Sequence, residues 1–202
     1  MGDNTREHAG CLLILASASP RRRELMQRLG RPFVSETSSA KEIVPAGISV
    51  PKTAEYLSGL KAGDIFQRHT EKDLVVIGSD TIVVCEGKIF GKPASEEEAF
   101  RMLRFLSGRS HEVLTGVTIL WRKPDGTEGQ TSFTSETKVI FYELSDEEIR
   151  AYIATGEPMD KAGAYGIQDD GALFIRGIEG DYYTVVGFPI GEINRRLREY
   201  EL

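Results

Sequence analysis

The stretch LVVIGSDTIVVC, Leu74–Cys85, decides how this chain folds. LVVI is a continuous apolar run of strand length, and TIVVC is another. Gly78, Ser79 and Asp80 separate them, so the pattern predicts two buried strands with a break between them. A turn at Glu86 and Gly87 then leads into a third strand, KIF. The break leaves one carboxylate, Asp80, between two apolar strands, beside residues small enough for a ligand to approach the backbone. An Asp in such a place also suits a plain turn. GKP, at residues 91–93, follows the third strand and returns Lys92 toward the same end of the sheet.

Upstream, LLILA at Leu12–Ala16 reads as a buried strand closed by SASP. Ser19 can cap the next helix and Pro20 suits its first position, so a helix is expected over residues 20–29, stopped by Gly30. A short strand at residues 33–35 and an irregular loop over 38–52 precede helical spacing at Ala54, Leu57, Leu60 and Ile65, which Gly59 and Gly63 weaken. Downstream, Ser95 with Glu98 is a capping box opening a helix on Ala99, Met102, Leu103 and Leu106. Residues 111–121 and 130–142 flank a PDG turn and predict a long hairpin. Ser145 with Glu148 opens another helix, residues 172–178 and 182–186 are expected as two final strands, and 190–200 as a closing helix. Strands and helices alternate early and hairpins dominate later, which predicts an α/β fold with a mixed sheet.

Composition narrows the function. The 202 residues carry 25 Lys and Arg against 31 Asp and Glu, a net charge of −6, which argues against a nucleic-acid partner. The early apolar run from Cys11 to Ala16 is far shorter than the ~20 residues of a membrane span or the ~7 of a signal-peptide core. A cytoplasmic protein with no membrane partner is expected, with residues 1–10 as a flexible extension and 11–202 as one domain. The 2 cysteines, Cys11 and Cys85, lack CxxC spacing and are read as buried thiols.

Two further segments can carry chemistry. SASPRRRELM, residues 17–26, sets two hydroxyls and three arginines at a helix N-terminus, a costly placement unless an anion binds there or the surplus acids pair with it. GEPMDKAGAYGIQ, residues 156–168, brings Glu157, Asp160 and Lys161 among glycines, suiting either a magnesium site or a surface ion pair. The Gln168 amide both donates and accepts, as a base edge requires. No P-loop, GxGxxG or HExxH motif occurs, and His8, His69 and His111 lie near no evident nucleophile; His111 reads as strand packing or a satisfied polar contact. Carboxylates with a divalent metal remain as the means of activating water.

Together these segments, with MLRFLSGRSHEVLTGV and VVGFPI, run in order from about residue 12 to 190 and resemble the Maf family of nucleoside triphosphate pyrophosphatases. The resemblance implies an elongated mixed α/β sheet with flanking helices in two lobes around a central cleft, similar to inosine triphosphate pyrophosphatase. It implies hydrolysis of a nucleoside triphosphate to the monophosphate and pyrophosphate with Mg2+ or Mn2+, Asp80 being the general base. Arg21, Thr81 and Gln168 match substrate-selecting positions. Ser17, Ser19, Arg22, Lys61, Lys92 and Lys161 match phosphate or cleft positions, and Asp80, Glu157 and Asp160 would hold the metal. AYGIQ resembles the branch acting on dTTP and UTP, the alternative being the 7-methyl-GTP branch. Ser79, where Ala is frequent, and Asp169 with Asp170, where Gly is more usual, depart from the family pattern. A nucleotide-binding regulator of septum formation is the rival class, which the presence of Asp80 and Lys92 disfavours. A homodimer is left open.

Overall fold

The computed structural model describes residues 11–202; the extension expected over residues 1–10 lies outside the described residues. β1 (Leu12–Ala16) leads into α1 (Pro20–Gln27), with Ser19 as N-cap and Pro20 in the first turn, as the SASP turn predicts. A short β2 (Val34–Ser35) and a loop precede α2 (Val50–Arg68). This helix tolerates Gly59 and Gly63 because Ala54, Leu57, Ser58, Ala62 and Ile65 form a buried stripe along it.

β3 runs without interruption over Leu74–Cys85, which corrects the expected break at Gly78, Ser79 and Asp80. β4 (Lys88–Phe90) and α3 (Glu96–Leu106) follow, then β5 (Ser110–Arg122), which pairs antiparallel with β3 through Gly78↔Thr118, Ser79↔Val117 and Asp80↔Gly116. Small residues sit mid-strand because α2 lies on them. A Cβ on Gly78 would collide with the Ser58 carbonyl, and one on Gly116 with the backbone of Ala54 and Glu55. The glycines that look like a turn are a seat for a helix.

β6 (Glu128–Phe141) completes the hairpin, and α4 (Asp146–Ala154) starts at a full capping box on Ser145 and Glu148. At Ser95 the box is half made: its hydroxyl accepts the Glu98 N–H, but the Glu98 carboxylate turns to the Ala94 N–H. Three 3-10 turns, at Glu157–Asp160, Ala162–Ala164 and Asp170–Phe174, lead to β7 (Ile175–Glu179). The last expected strand is instead a helix, α5 (Tyr182–Val186), and α6 (Ile190–Glu199) closes the fold. Its β-favouring residues are overruled locally. The Asp181 carboxylate accepts the N–H groups of Tyr183 and Thr184 at 3.2 and 3.1 Å, and Gly187 ends the turn at φ +102°.

The sheet order is β2-β1-β3-β5-β6-β7, with β4 also on β3; β2, β1 and β3 run parallel and the remaining pairs antiparallel. The mixed α/β sheet is therefore as expected. On one face, Val75 and Ile77 join a core with α1 and α6, while Val83 and Cys85 join another with α3 and α4. Ser79 and Thr81 lie between these cores, so a polar seam crosses the sheet there. On the other face, α2 covers Leu74, Val76, Ile82 and Val84. Along its edge β3 pairs with β1 as far as Gly78 and with β4 only from Val83, so residues 79–82 have no strand beside them on that side.

Candidate active site

That unpaired edge is filled by a side chain. Arg22, from the first turn of α1, donates to the Ser79 carbonyl at 2.9 Å, the Gly187 carbonyl at 2.8 Å and the Thr81 hydroxyl at 3.0 Å. Ser79 Oγ also donates to the Gly187 carbonyl, at 2.9 Å. Gly187 has to be glycine, because its φ is positive and a Cβ would stand 2.9 Å from Thr81 Oγ1. Burial pulls the Arg22 pKa down, Asp80 pushes back most strongly, and Arg21 and Glu42 also act on it, so both faces of β3 meet at this notch. Arg22, read from the sequence as a phosphate or cleft residue, is thus a clamp with three of its five N–H donors committed to protein atoms. The Thr81 hydroxyl is committed as well, between Arg22 and Thr115 Oγ1 at 3.0 Å, and the Thr115 hydroxyl donates to the Thr184 carbonyl at 2.7 Å.

Asp80 points to the opposite face and pairs with Lys61 of α2. The same ammonium reaches Glu42 at 3.2 Å. Glu42 escaped the sequence reading because it lies in a loop without periodicity. Only the fastening of that loop brings it in: the Ser38 hydroxyl and the Ser39 N–H both donate to Asp64 of α2 at 2.7 Å. The Lys61 and Asp80 side chains are 16% and 12% exposed, so the pair is largely shielded from solvent.

The other predicted residues come from the turn that opens α1, the loop after β4 and the turns after α4. Ser17 is buried and its Oγ accepts the Ser19 N–H at 3.1 Å, while Ser19 Oγ caps α1 by accepting the Arg22 N–H at 3.5 Å. Both oxygens build the turn and keep their protons for other acceptors. Arg21 reaches across to Asp160 at 3.4 Å, an exposed pair of small worth. Lys161 is buried, held by the Glu157 carbonyl at 2.8 Å, Asp160 at 2.9 Å and Asp169 at 3.8 Å. Lys92 is exposed and has no ion-pair partner among the described residues. Its loop is tied down by the Gly163 N–H on the Gly91 carbonyl at 3.0 Å. Gln168 is exposed, with no hydrogen bond to its amide among the described residues.

Glu157 does not join the carboxylates. Its side chain accepts the Tyr152 hydroxyl at 2.6 Å and the N–H groups of Asp170 and Gly171 at 3.1 and 3.5 Å. Among the described residues no three His, Cys, Asp or Glu side chains are grouped to hold a metal ion. The expected trio of Asp80, Glu157 and Asp160 is therefore not assembled: Asp80 stands with Lys61 and Glu42, Glu157 is spent on the Tyr152 hydroxyl and backbone N–H groups, and Asp160 pairs with Lys161 and Arg21. His111 is wholly buried, its Nε2 is 2.7 Å from the Tyr165 hydroxyl, its Nδ1 is unpartnered, and burial pushes its pKa down to about 4. Both thiols are free; Cys85 is buried and Cys11 partly so, and burial pushes Cys11 up to about 11.

A mixed α/β sheet with a charged notch beyond the carboxyl end of its parallel strands defines the class of protein. Within it, the chain belongs to the Maf family: the family model described as Maf-like protein matches residues 12–200. A "dTTP/UTP pyrophosphatase" of Moorella thermoacetica is 50% identical over 185 residues, 92% of this chain and 93% of that protein. Another of that name from Bacillus thuringiensis subsp. konkukian is 44% identical over 190 residues, 94% of this chain and 96% of its own. Among solved structures, the Staphylococcus aureus Ham1 protein aligns over 93% of this chain and 98% of its own with a TM-score of 0.48 and 13% identity. No helix among the described residues is long and apolar enough to cross a membrane.

Proposed function

We propose that residues 11–202 form one catalytic domain that hydrolyses dTTP and UTP to the monophosphate and pyrophosphate. The observation that carries this reading is the pairing of Lys61 with both Asp80 and Glu42 at the notch, in a chain similar along its length to proteins of that name. Asp80 takes the proton from the attacking water, with Lys61 holding the carboxylate in place. Lys92 and the hydroxyls of Ser17 and Ser19 face the phosphates, and the Asp160 pairing with Arg21 is weak enough for the substrate to displace, freeing Arg21 for the base. Lys161 and Arg22 shape the cleft rather than bind within it.

The donor set fits a divalent cation that arrives with the substrate. Asp80 would hold it together with phosphate oxygens, a hard-oxygen set suited to Mg2+ or Mn2+. When bound, the ion supplies charge neutralisation at the phosphates. Gln168 supports the choice of base: its free amide can meet the O4 acceptor and N3–H donor of uracil and thymine, while Arg21, which only donates, opposes the amino group of cytosine. A pyrophosphate-release panel over dTTP, UTP, CTP and 7-methyl-GTP tests the reading. Efficient cleavage of dTTP and UTP is expected, with CTP poor and Gln168→Ala losing selectivity faster than turnover. Equal kcat/KM for CTP and UTP would overturn the base assignment, preference for 7-methyl-GTP would assign the other branch, and binding without release would leave a nucleotide-binding regulator.

A further inference from the structure

The residue that sequence placed at the metal does something else. Glu157 and Tyr152 together close the loop of residues 166–171, which carries Gln168 at its outer end. The Gly166 N–H donates to the Tyr152 hydroxyl at 3.2 Å, that hydroxyl donates to Glu157 Oε1 at 2.6 Å, and Glu157 Oε2 accepts the Asp170 N–H at 3.1 Å. The two ends of the loop abut. A Cβ on Gly171 would stand 2.6 Å from the Gly166 carbonyl oxygen and 2.9 Å from the Tyr152 hydroxyl. Tyr152 is itself fixed, 5% exposed with its ring edge-on to Phe174 at 5.0 Å. Burial, and then Glu157, pushes the hydroxyl pKa up, so it keeps the proton it donates.

On either side of Gly166 the chain is anchored in different cores: Tyr165 packs with the α3 and α4 core, and Ile167 with the α1 and α6 core. The loop therefore spans the polar seam. From the other end of Glu157, its carbonyl accepts the Lys161 ammonium at 2.8 Å, so one residue ties the Asp160 and Lys161 turn to the Gln168 loop.

We propose that Tyr152 and Glu157 are positioning residues for base selection, holding this loop closed so that the Gln168 amide stands at a fixed place over the cleft. The proposal rests on the pyrophosphatase reading above. A surface amide on an open loop would reach uracil and cytosine in different poses, and selectivity between them needs that freedom removed beforehand. Asp169 and Asp170, the two acids that depart from the family pattern, take part in this closure, the first through its side chain and the second through its backbone alone. Asp169 faces Lys161, and Asp170 contributes the N–H that Glu157 accepts.

The test uses the full chain with Tyr152→Phe, which keeps the ring, and Glu157→Gln as a second variant should the first fold poorly. Hydrogen exchange at the amides of Gly166, Asp170 and Gly171 is expected to quicken by about tenfold. The UTP over CTP preference in kcat/KM is expected to fall by about three- to tenfold, with kcat for dTTP within about threefold of the parent. Adding Gln168→Ala to Tyr152→Phe should remove little further selectivity, because both act through one amide. Unchanged exchange, or quickened exchange with unchanged selectivity, would overturn the proposal. A parent protein that released no pyrophosphate from any triphosphate would sink the pyrophosphatase reading instead, and quickened exchange in Tyr152→Phe would still support the closure.

Discussion

Asp80 and Thr81 are adjacent in sequence and face opposite sides of β3, one toward Lys61 and the other toward Arg22. In the middle of a fully paired sheet that alternation would keep their surroundings apart. Here the unpaired edge at residues 79–82 lets groups from both faces gather. The carboxylate and the clamp thus carry separable roles. Asp80→Asn should lower turnover by ~10²–10⁴ while leaving the fold intact, since Glu42 remains to pair Lys61. Pyrophosphate release and urea unfolding on the same preparation check this, and near-parental kcat would remove Asp80 from the mechanism. Glu42 and Glu157 show why residue roles were only partly legible. A carboxylate in a chain is a potential base, ligand or staple, and which one it becomes depends on the donors that tertiary contacts place around it.

At the scale of elements, the strongest local signals were those completed within one turn. The full box at Ser145 and the Ser19 cap with Pro20 each need only neighbours a few residues away, and both helices start where those residues stand. β3 was misread for the complementary reason: Gly78, Ser79 and Asp80 have turn chemistry, but α2 requires the space above them. This makes Gly116, under the same helix, a sensitive position. Gly116→Ala drives a methyl into the α2 backbone and should cost about 1–3 kcal/mol, read as a lowered urea midpoint with unchanged slope. A midpoint equal to the parent's would mean that α2 does not lie on the glycine seat. Residues 182–186 erred in the other direction, since a Val- and Tyr-rich run reads as strand until Asp181 is seen to cap it.

For the whole molecule, two conditions should matter. Activity is expected to vanish with a chelator and return with Mg2+ or Mn2+, because a cation would neutralise phosphate charge that Lys92 alone does not match. Full activity after exhaustive chelation would exclude the metal. Acid acts through His111, whose pKa is about 4 in the fold against an ordinary 6.5 in the unfolded chain. Between those values the unfolded chain binds more protons, so stability falls as pH drops from 6.5 toward 4, by roughly 3 kcal/mol in all, and this contribution is fully present above 6.5. Melting temperatures at pH 7, 5.5 and 4.5 should decline more steeply for the parent than for His111→Gln, which keeps a polar partner for Tyr165 without a titrating group. Parallel slopes would assign acid sensitivity elsewhere.

By itself the sequence determined the mixed α/β class, the capped helices, the hairpin of β5 and β6 and the segments from which the notch is assembled. Each of these depends on periodicity or on groups a few residues apart, and such interactions are written consecutively along the chain. Only the tertiary structure decided that β3 is continuous, that Arg22 closes its open edge, that Glu42 reaches Lys61, and that Glu157 fastens the loop bearing Gln168. Those outcomes depend on which distant groups arrive within bonding distance: Arg22 and Gly187 are 165 positions apart in the chain, and only folding brings them to 2.8 Å.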